Sequence, residues 1–264
     1  MINSVLKAID LLHVFTPAEP RLSLAEISGR LGLPKSTAHH LLSTLLSRRF
    51  VEKVDADHYA LGTAIIPLTQ AARVNAEVRD RAAPLLRDLA DACRESVYLT
   101  VLDGDYSLYI YAVESPQRLL ARTAVGDRAL LHCTSVGKAT LALLPAERVA
   151  GIVERVGLPA FTPYTITAPE QLRDELASIR VRGFAFDREE HELGTFCVAA
   201  PFRDTHGRVL GAMSVSGATP EIVGARASHL STLVMGTAQE VSRRMGHVPD
   251  SLSLVAPALV PLGE

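Results

Sequence analysis

Residues 24–42 read LAEISGRLGLPKSTAHHLL, and this stretch decides the fold of the N-terminal third. Ser23 stands just before it and Glu26 three positions further on. In this capping-box spacing a hydroxyl takes the N3 amide and the glutamate reaches back to the cap amide. Leu24, Ile27 and Leu31 then fall on one face of a short helix. Gly32 is a natural left-handed terminator, and Pro34 prevents continuation while presetting the first turn of a new helix. That helix carries Ala38, Leu41, Leu42, Leu45 and Leu46, an i, i+3, i+4, i+7, i+8 set. Two short helices joined by a glycine-containing turn match a helix-turn-helix.

The face opposite Ala38 holds Ser36, His40, Ser43 and Ser47, flanked by Thr37, His39 and Thr44. Short polar side chains with no acid among them enter a major groove without repelling phosphate, so this face is predicted to read base edges. The plain alternative is a helical hairpin with a solvated outer face. Upstream, Val5, Leu6, Ile9, Leu12 and Phe15 predict an amphipathic helix over 4–15, broken by Pro17 and Pro20. Downstream, residues 50–54 alternate like a strand, Asp55-Ala56-Asp57 turns, His58–Leu61 returns and Gly62 ends the hairpin. A hairpin directly after a reading helix is a wing. Its Lys53, with Arg48 and Arg49 at the helix end, is placed to hold the phosphate backbone, and Lys35 at the start of the helix is a further candidate DNA contact.

Charge follows the same division. Residues 24–53 net +3, whereas residues 63–264 net −3 with 20 bases against 23 acids. A small basic head on an acidic body points towards nucleic acid. The whole chain has 264 residues, 48% hydrophobic and 21% charged, with a net charge of −2, so it supports a packed core and excludes bulk disorder. No apolar run reaches the ~18 residues of a membrane span, and Met1-Ile2-Asn3-Ser4 has no basic region or cleavage site of a secretory signal. Cys93, Cys133 and Cys197 lie far apart with no CxxC spacing. The expectation is a cytoplasmic protein without disulfides, zinc or any other cofactor.

The run from Leu24 to Leu42, with Tyr59-Ala60-Leu61-Gly62 closing the wing, resembles the IclR-type bacterial transcription regulators. His40 stands where that family usually carries Arg. The remainder also resembles the family's GAF-like effector-binding domain. The matching pieces are Gly126-Asp127-Arg128 with His132, Gly137-Lys138-Ala139, the run from Arg182 to Glu190, Gly194 with Cys197, Ala199-Ala200-Pro201 and Ser214-Val215-Ser216-Gly217. Together they cover roughly residues 4–247. The expected fold class is therefore α+β. A winged helix-turn-helix over 1–62 and a linker helix over 63–83 lead into an effector-binding sheet domain over 84–247, with a loose tail over 248–264.

Periodicity agrees. The spacing predicts helical segments between Thr63 and Cys93, with Pro67 close to a first turn and Pro84 at N1 of a second helix bearing Leu85, Leu86 and Leu89. Strands are predicted over 97–102, 106–113, 119–124, 184–186, 196–202 and 209–215, and helices over 136–144, 146–156, 169–181 and 221–245. Asp103-Gly104-Asp105 is read as a hairpin turn.

Several local features invite chemistry. Gly137-Lys138 lacks the preceding Gly and following Ser or Thr of a phosphate loop, because His132 and Ala139 occupy those positions. The helix start there can still offer amides to an anion, with Ser135 and Val136 at a pocket wall. The run Glu189-Glu190-His191-Glu192 is read as a solvated turn rather than a metal site. Ser214 and Ser216 are two apart on a strand and face one side. By the resemblance, Asp187, Thr195, Cys197 and Ala121 join them, Gly137 and the pocket wall, giving a site for a small polar metabolite, commonly a carboxylate in this family. An anionic ligand requires Asp187 to be protonated or offset. Cys133 beside His132 is read as buried and inert, and neither GxSxG nor HExxH occurs, so an enzyme has little support.

The sequence therefore predicts a ligand-responsive regulator, with repression the commoner outcome by resemblance. A single helix reads few base pairs, so a homodimer on a pseudo-palindromic operator is expected. The family resemblance adds a dimer of dimers joined through effector domains. An enzyme with a helical head, or an interaction module whose basic helix binds a protein, are the rival readings.

Overall fold

Ser23 begins helix formation as its spacing predicts. Its Oγ accepts the Glu26 amide at 3.3 Å while Glu26 Oε2 takes the Ser23 amide at 2.7 Å. In the computed structural model, which describes residues 1–16, 18–71, 73–115 and 125–248, this capping box starts α2 (Leu24–Leu31). Gly32, at φ 61°, ends it in the left-handed region. The Leu33 amide reaches back to Ser28 O at 3.1 Å, a Schellman closure that is reinforced by Ser28 Oγ donating to Leu33 O at 2.6 Å. Pro34 is the N-cap of α3 (Lys35–Ser47), one position earlier than the sequence predicts.

Helix α1 (Asn3–His13) precedes this pair, and β2 (Val51–Lys53) and β3 (His58–Leu61) form the wing. A two-residue strand, β1 (Leu22–Ser23), adds to the free edge of β3 and was not foreseen in the sequence. The head's core joins Leu11, Phe15, Leu22, Ile27, Leu42, Val51 and Tyr59, with Leu41, Leu45 and Leu46 packed against it. The leucine side of α3 is thus turned inward.

The chain divides into two compact units, Met1–Ala76 and Glu77–Glu264. After α4 (Ile65–Ala71) comes α5 (Arg73–Cys93), which corrects one expectation. Pro84 does not open a helix; it lies inside α5. Val78, Ala82, Leu86, Leu89, Ala90 and Cys93 form one buried stripe along the helix, and Pro84 is exposed on its outer side. Water can satisfy the carbonyl that loses its amide partner, so continuous burial of the stripe outweighs the proline penalty.

The second unit is an antiparallel sheet in the order β6-β5-β4-β9-β8-β7. The strands are β4 (Ser96–Asp103), β5 (Tyr106–Val113), β6 (Arg128–Leu130), β7 (Ala185–Arg188), β8 (Phe196–Arg203) and β9 (Val209–Gly217). Between β6 and β7 run α6 (Ser135–Leu141), α7 (Ala146–Val156) and α8 (Pro169–Arg182). The strand predicted over 119–124 lies outside the described residues, as does most of the tail. The helix predicted over 221–245 is interrupted: a 3₁₀ turn (Pro220–Val223) precedes α9 (Ala227–Arg244). Gly224 leaves helical geometry at φ −116°, ψ −114°, and the Arg226 guanidinium is tied to Cys93 O at 2.6 Å.

Strand parity sorts the side chains into two layers. Val97, Leu99, Val101, Val198, Phe202, Met213 and Val215 pack with α5 and α9, forming the larger core. Ala185, Ala199 and Ala212 face the other way and meet α6, α7 and α8 through Val136, Leu141, Ile152, Leu172 and Ile179. The architecture is α+β, a winged helix-turn-helix followed by a GAF-like sheet domain.

Candidate functional sites

On α3 the residues predicted to read DNA are turned outward. Ser36, His39, His40, Ser43, Thr44 and Ser47 are exposed and Thr37 is half-buried. Three of the hydroxyls donate back into their own helix: Ser43 to His39 O at 2.9 Å, Thr44 to His40 O at 3.0 Å and Ser47 to Thr44 O at 2.7 Å. Their donors are engaged, so the outward lone pairs offer acceptors, which suit the exocyclic amines of cytosine and adenine. Lys35, Arg48, Arg49 and Lys53 are all exposed around this face. Arg49 adopts a left-handed φ of 59° as the chain turns from α3 into the wing. In the wing turn, Asp55 Oδ1 accepts the Asp57 and His58 amides at 2.9 Å each. These bonds and the contact with the His58 ring hold its carboxyl down at about 2.

The second site lies on the α6 side of the sheet. A cavity of about 40 Å³ is lined by Tyr98, Tyr109, Thr134, Ser135, Asp187, His191, Glu192, Thr195, Cys197, Ser214 and Ser216. Register explains the gathering: Tyr98 pairs with Ser214 across β4 and β9, Cys197 with Ser216 across β8 and β9, and Asp187 with Cys197 across β7 and β8. The Cys197 thiol donates to Ser216 Oγ at 3.2 Å.

Of the residues assigned to this site from sequence, the structure brings together Ser135, Asp187, Thr195, Cys197, Ser214 and Ser216. It places two elsewhere. Val136 is buried in the apolar core beneath α6. Gly137 is needed for packing, since a Cβ there would come within 2.3 Å of Leu131 O, and its amide is taken by Thr134 Oγ1 at 3.1 Å. Ala121 lies outside the described residues. Sequence reading missed Tyr98, Tyr109, Thr134, His191 and Glu192; the signal for Tyr98 was its parity in a strand whose odd positions are aliphatic.

The expected solvated turn at Glu189–Glu192 is corrected at Glu190, which is only 5% exposed, whereas Glu189 and Glu192 are half-buried and His191 is exposed. Lys138, equally buried on α6, donates to its two carboxylate oxygens at 2.6 and 2.7 Å and to Glu175 Oε1 at 3.5 Å. Thr165 Oγ1 donates to Glu190 O at 2.5 Å, and Asp187 Oδ1 accepts the Glu190 amide at 2.8 Å. A buried ion pair and two hydrogen bonds therefore draw Glu190 inward from the turn. Burial, with the Glu190 charge beside it, pushes the Asp187 carboxyl up to about 7. Partial desolvation beside the cavity lowers His191 from the ordinary imidazole value although much of its side chain is exposed. The Cys133 thiol is pushed up to about 12, mainly by burial, so it is protonated at neutral pH and is no nucleophile there. Among the described residues no group of three or more His, Cys, Asp or Glu is gathered for a metal, and no helix is long and apolar enough to cross a membrane.

A head with an outward, acid-free reading helix and a cation-bearing wing, followed by a sheet domain enclosing a polar cavity, defines a DNA-binding regulator with a small-molecule domain. The chain belongs to the IclR family of bacterial transcriptional regulators. Residues 4–55 match the IclR helix-turn-helix domain, and residues 70–243 match the bacterial transcriptional regulator IclR C-terminal domain. The acetate operon repressor of Salmonella typhimurium is 33% identical over 93% of this chain and 90% of its own length. The transcriptional repressor IclR of Escherichia coli is 32% identical over the same shares. The crystal structure of the Thermotoga maritima IclR is similar with a TM-score of 0.77 at 30% identity, covering 94% of this chain and all of that one. An IclR homologue from Microbacterium hydrocarbonoxydans complexed with 4-hydroxybenzoate shares the fold, with a TM-score of 0.83 at 22% identity over 92% of this chain and 98% of that one.

Proposed function

We propose that this chain is a cytoplasmic, sequence-specific repressor of a catabolic or metabolic operon. In this reading its operator affinity is set by a small polar metabolite bound in the sheet-domain cavity. The observation that carries the reading is the two-sidedness of α3: its leucines are in the head's core while its hydroxyls and imidazoles face out between Lys35, Arg48, Arg49 and Lys53. It acts as a homodimer, two of which pair into a dimer of dimers. Support for self-association comes from α1, where Val5, Leu6 and Ile9 expose an apolar face to solvent.

The cavity supports the effector half of the reading. At about 40 Å³ it holds little more than a water molecule, so a metabolite has to displace a wall to enter. A ligand that prefers the opened arrangement shifts the protein towards it, and coupling of about 1–3 kcal/mol to DNA affinity is typical of such linkage. The test is fluorescence anisotropy on a duplex selected from a random pool by the full chain, read against salt. Three wing-side cations per head, Arg48, Arg49 and Lys53, and two heads predict a log–log slope of about −5. A nearly flat slope would assign the basic helix to a protein partner instead.

A further inference from the structure

A second, larger cavity, a groove of about 850 Å³, runs between α8, β8 and α9 and shares no described lining residue with the serine-bearing cavity. Its floor is apolar: half-buried Leu143, Pro201 and Met235 stand beside buried Ile179, Ala200 and Ala238. The polar groups of its rim are engaged within the domain. Arg180 Nε donates to Ala142 O at 2.6 Å, and the Arg203 guanidinium donates to Gly207 O at 2.7 Å. Ser242 Oγ donates to Ala238 O at 2.8 Å and accepts the Arg203 amide at 3.0 Å. Both guanidiniums bond carbonyls, and among the described residues neither is paired with a carboxylate. The groove thus offers apolar surface and uncompensated positive charge rather than a set of convergent hydrogen-bonding groups for a small polar molecule. Gly236 adds a second observation. It is exposed inside α9, where glycine is a poor helix former, and a Cβ built there meets nothing within 4 Å. No neighbour in the described chain calls for a glycine, so the bare backbone suits a segment that approaches it closely.

The chain itself supplies such a segment. His247 lines the groove, and Val248, the next residue, is 81% exposed. Six of the eleven residues 252–262 are leucine or valine, and residues 249–264 carry two acids, Asp250 and Glu264, and no base. Segments that remain solvated are poor in such aliphatic residues. Five residues from His247 to Leu252 span at most about 18 Å, so the apolar run begins within reach of the groove. It also lies beyond the family match, which ends at residue 243. We propose that residues 252–262 dock in this groove of their own chain. Their leucines and valines cover the floor, their backbone comes closest at Gly236, and Asp250 and Glu264 are drawn towards Arg180 and Arg203. Docking of this kind needs no ligand in the serine-bearing cavity.

Hydrogen exchange of the full chain, read on fragments covering 252–262, tests this. The expected result is exchange slowed by about tenfold or more against the same synthetic peptide free in solution, with a return to the free rate in Gly236→Phe. That side chain enters open space and fills the groove, so thermal unfolding should be unchanged. Exchange at the free-peptide rate in the unaltered chain overturns the proposal, as does protection that survives in a folded Gly236→Phe variant. Should that variant unfold, photocrosslinking decides. A benzophenone side chain in place of Val255 in the full chain should attach to residues 179–183, 200–203 or 235–243. Attachment elsewhere, or none, overturns the docking. In a mixture of isotopically light and heavy chains the products should join light to light and heavy to heavy. Light-to-heavy products would put a second copy's segment in the groove and overturn docking within one chain.

Discussion

Both units gather serine and threonine hydroxyls, in opposite settings. On α3 of the head, Ser43, Thr44 and Ser47 are exposed, their donors returned to their own helix and their surroundings basic. In the sheet domain Ser135, Ser214 and Ser216 are buried, and their surroundings are acidic through Asp187 and Glu192. One face suits a polyanion that arrives with its own counterions and groove geometry. The other suits a few atoms stripped of water. Burial and the sign of the nearby charge give the same side-chain chemistry two different environments.

The largest effect is expected at Lys138. Lys138→Met leaves Glu190 buried without its cation, and removal of one partner from such a pair costs roughly 3–5 kcal/mol. The melting temperature of the sheet domain should fall by on the order of 10 °C, with part of the loss recovered in the Lys138→Met, Glu190→Gln double variant. Ser214→Leu overpacks a buried wall and should lower the melting temperature by a few degrees, leave operator binding within about twofold and abolish the response to any effector, read by anisotropy with and without ligand; an unchanged response would place the effector elsewhere. A pH series sharpens the electrostatic half. Asp187 is raised above its unfolded value, so its ionisation costs stability as pH rises through about 7. Asp187→Asn should match the wild type below about pH 4 and melt a few degrees higher above pH 7. The smallest effect is expected at the head's capping box, where Ser23→Ala should cost about 1 kcal/mol in thermal unfolding and leave the cavity's ligand affinity unchanged.

The two sites also differ in how far the sequence exposes them. The reading face lies on one helix, so its spacing alone separates Leu41, Leu42, Leu45 and Leu46 from the polar ridge, and Ser23, Gly32 and Pro34 mark the boundaries locally. The cavity draws on β4, β5, β7, β8 and β9 and on the start of α6, and only strand pairing brings Tyr98 opposite Ser214. Family resemblance supplied Asp187, Thr195 and Cys197, but it also carried Val136 and Gly137 into a lining they do not form. Lys138 had a readable signal: it is the lone Lys, Arg, Asp or Glu between Arg128 and Glu147. Pro84 and Gly224 failed in opposite ways. The proline was overridden by the buried stripe of α5, whereas the glycine broke a helix that periodicity alone would have continued.

Operator affinity of Ser43→Glu, measured by anisotropy on a duplex selected by the unaltered chain, addresses the two-sidedness of α3 most directly. The substitution adds one negative charge at an exposed point on the ridge and removes nothing from the core. More than about a hundredfold weakening, ~2.7 kcal/mol, with unchanged thermal unfolding is the predicted result. Retention of wild-type affinity would mean that some other surface meets the DNA.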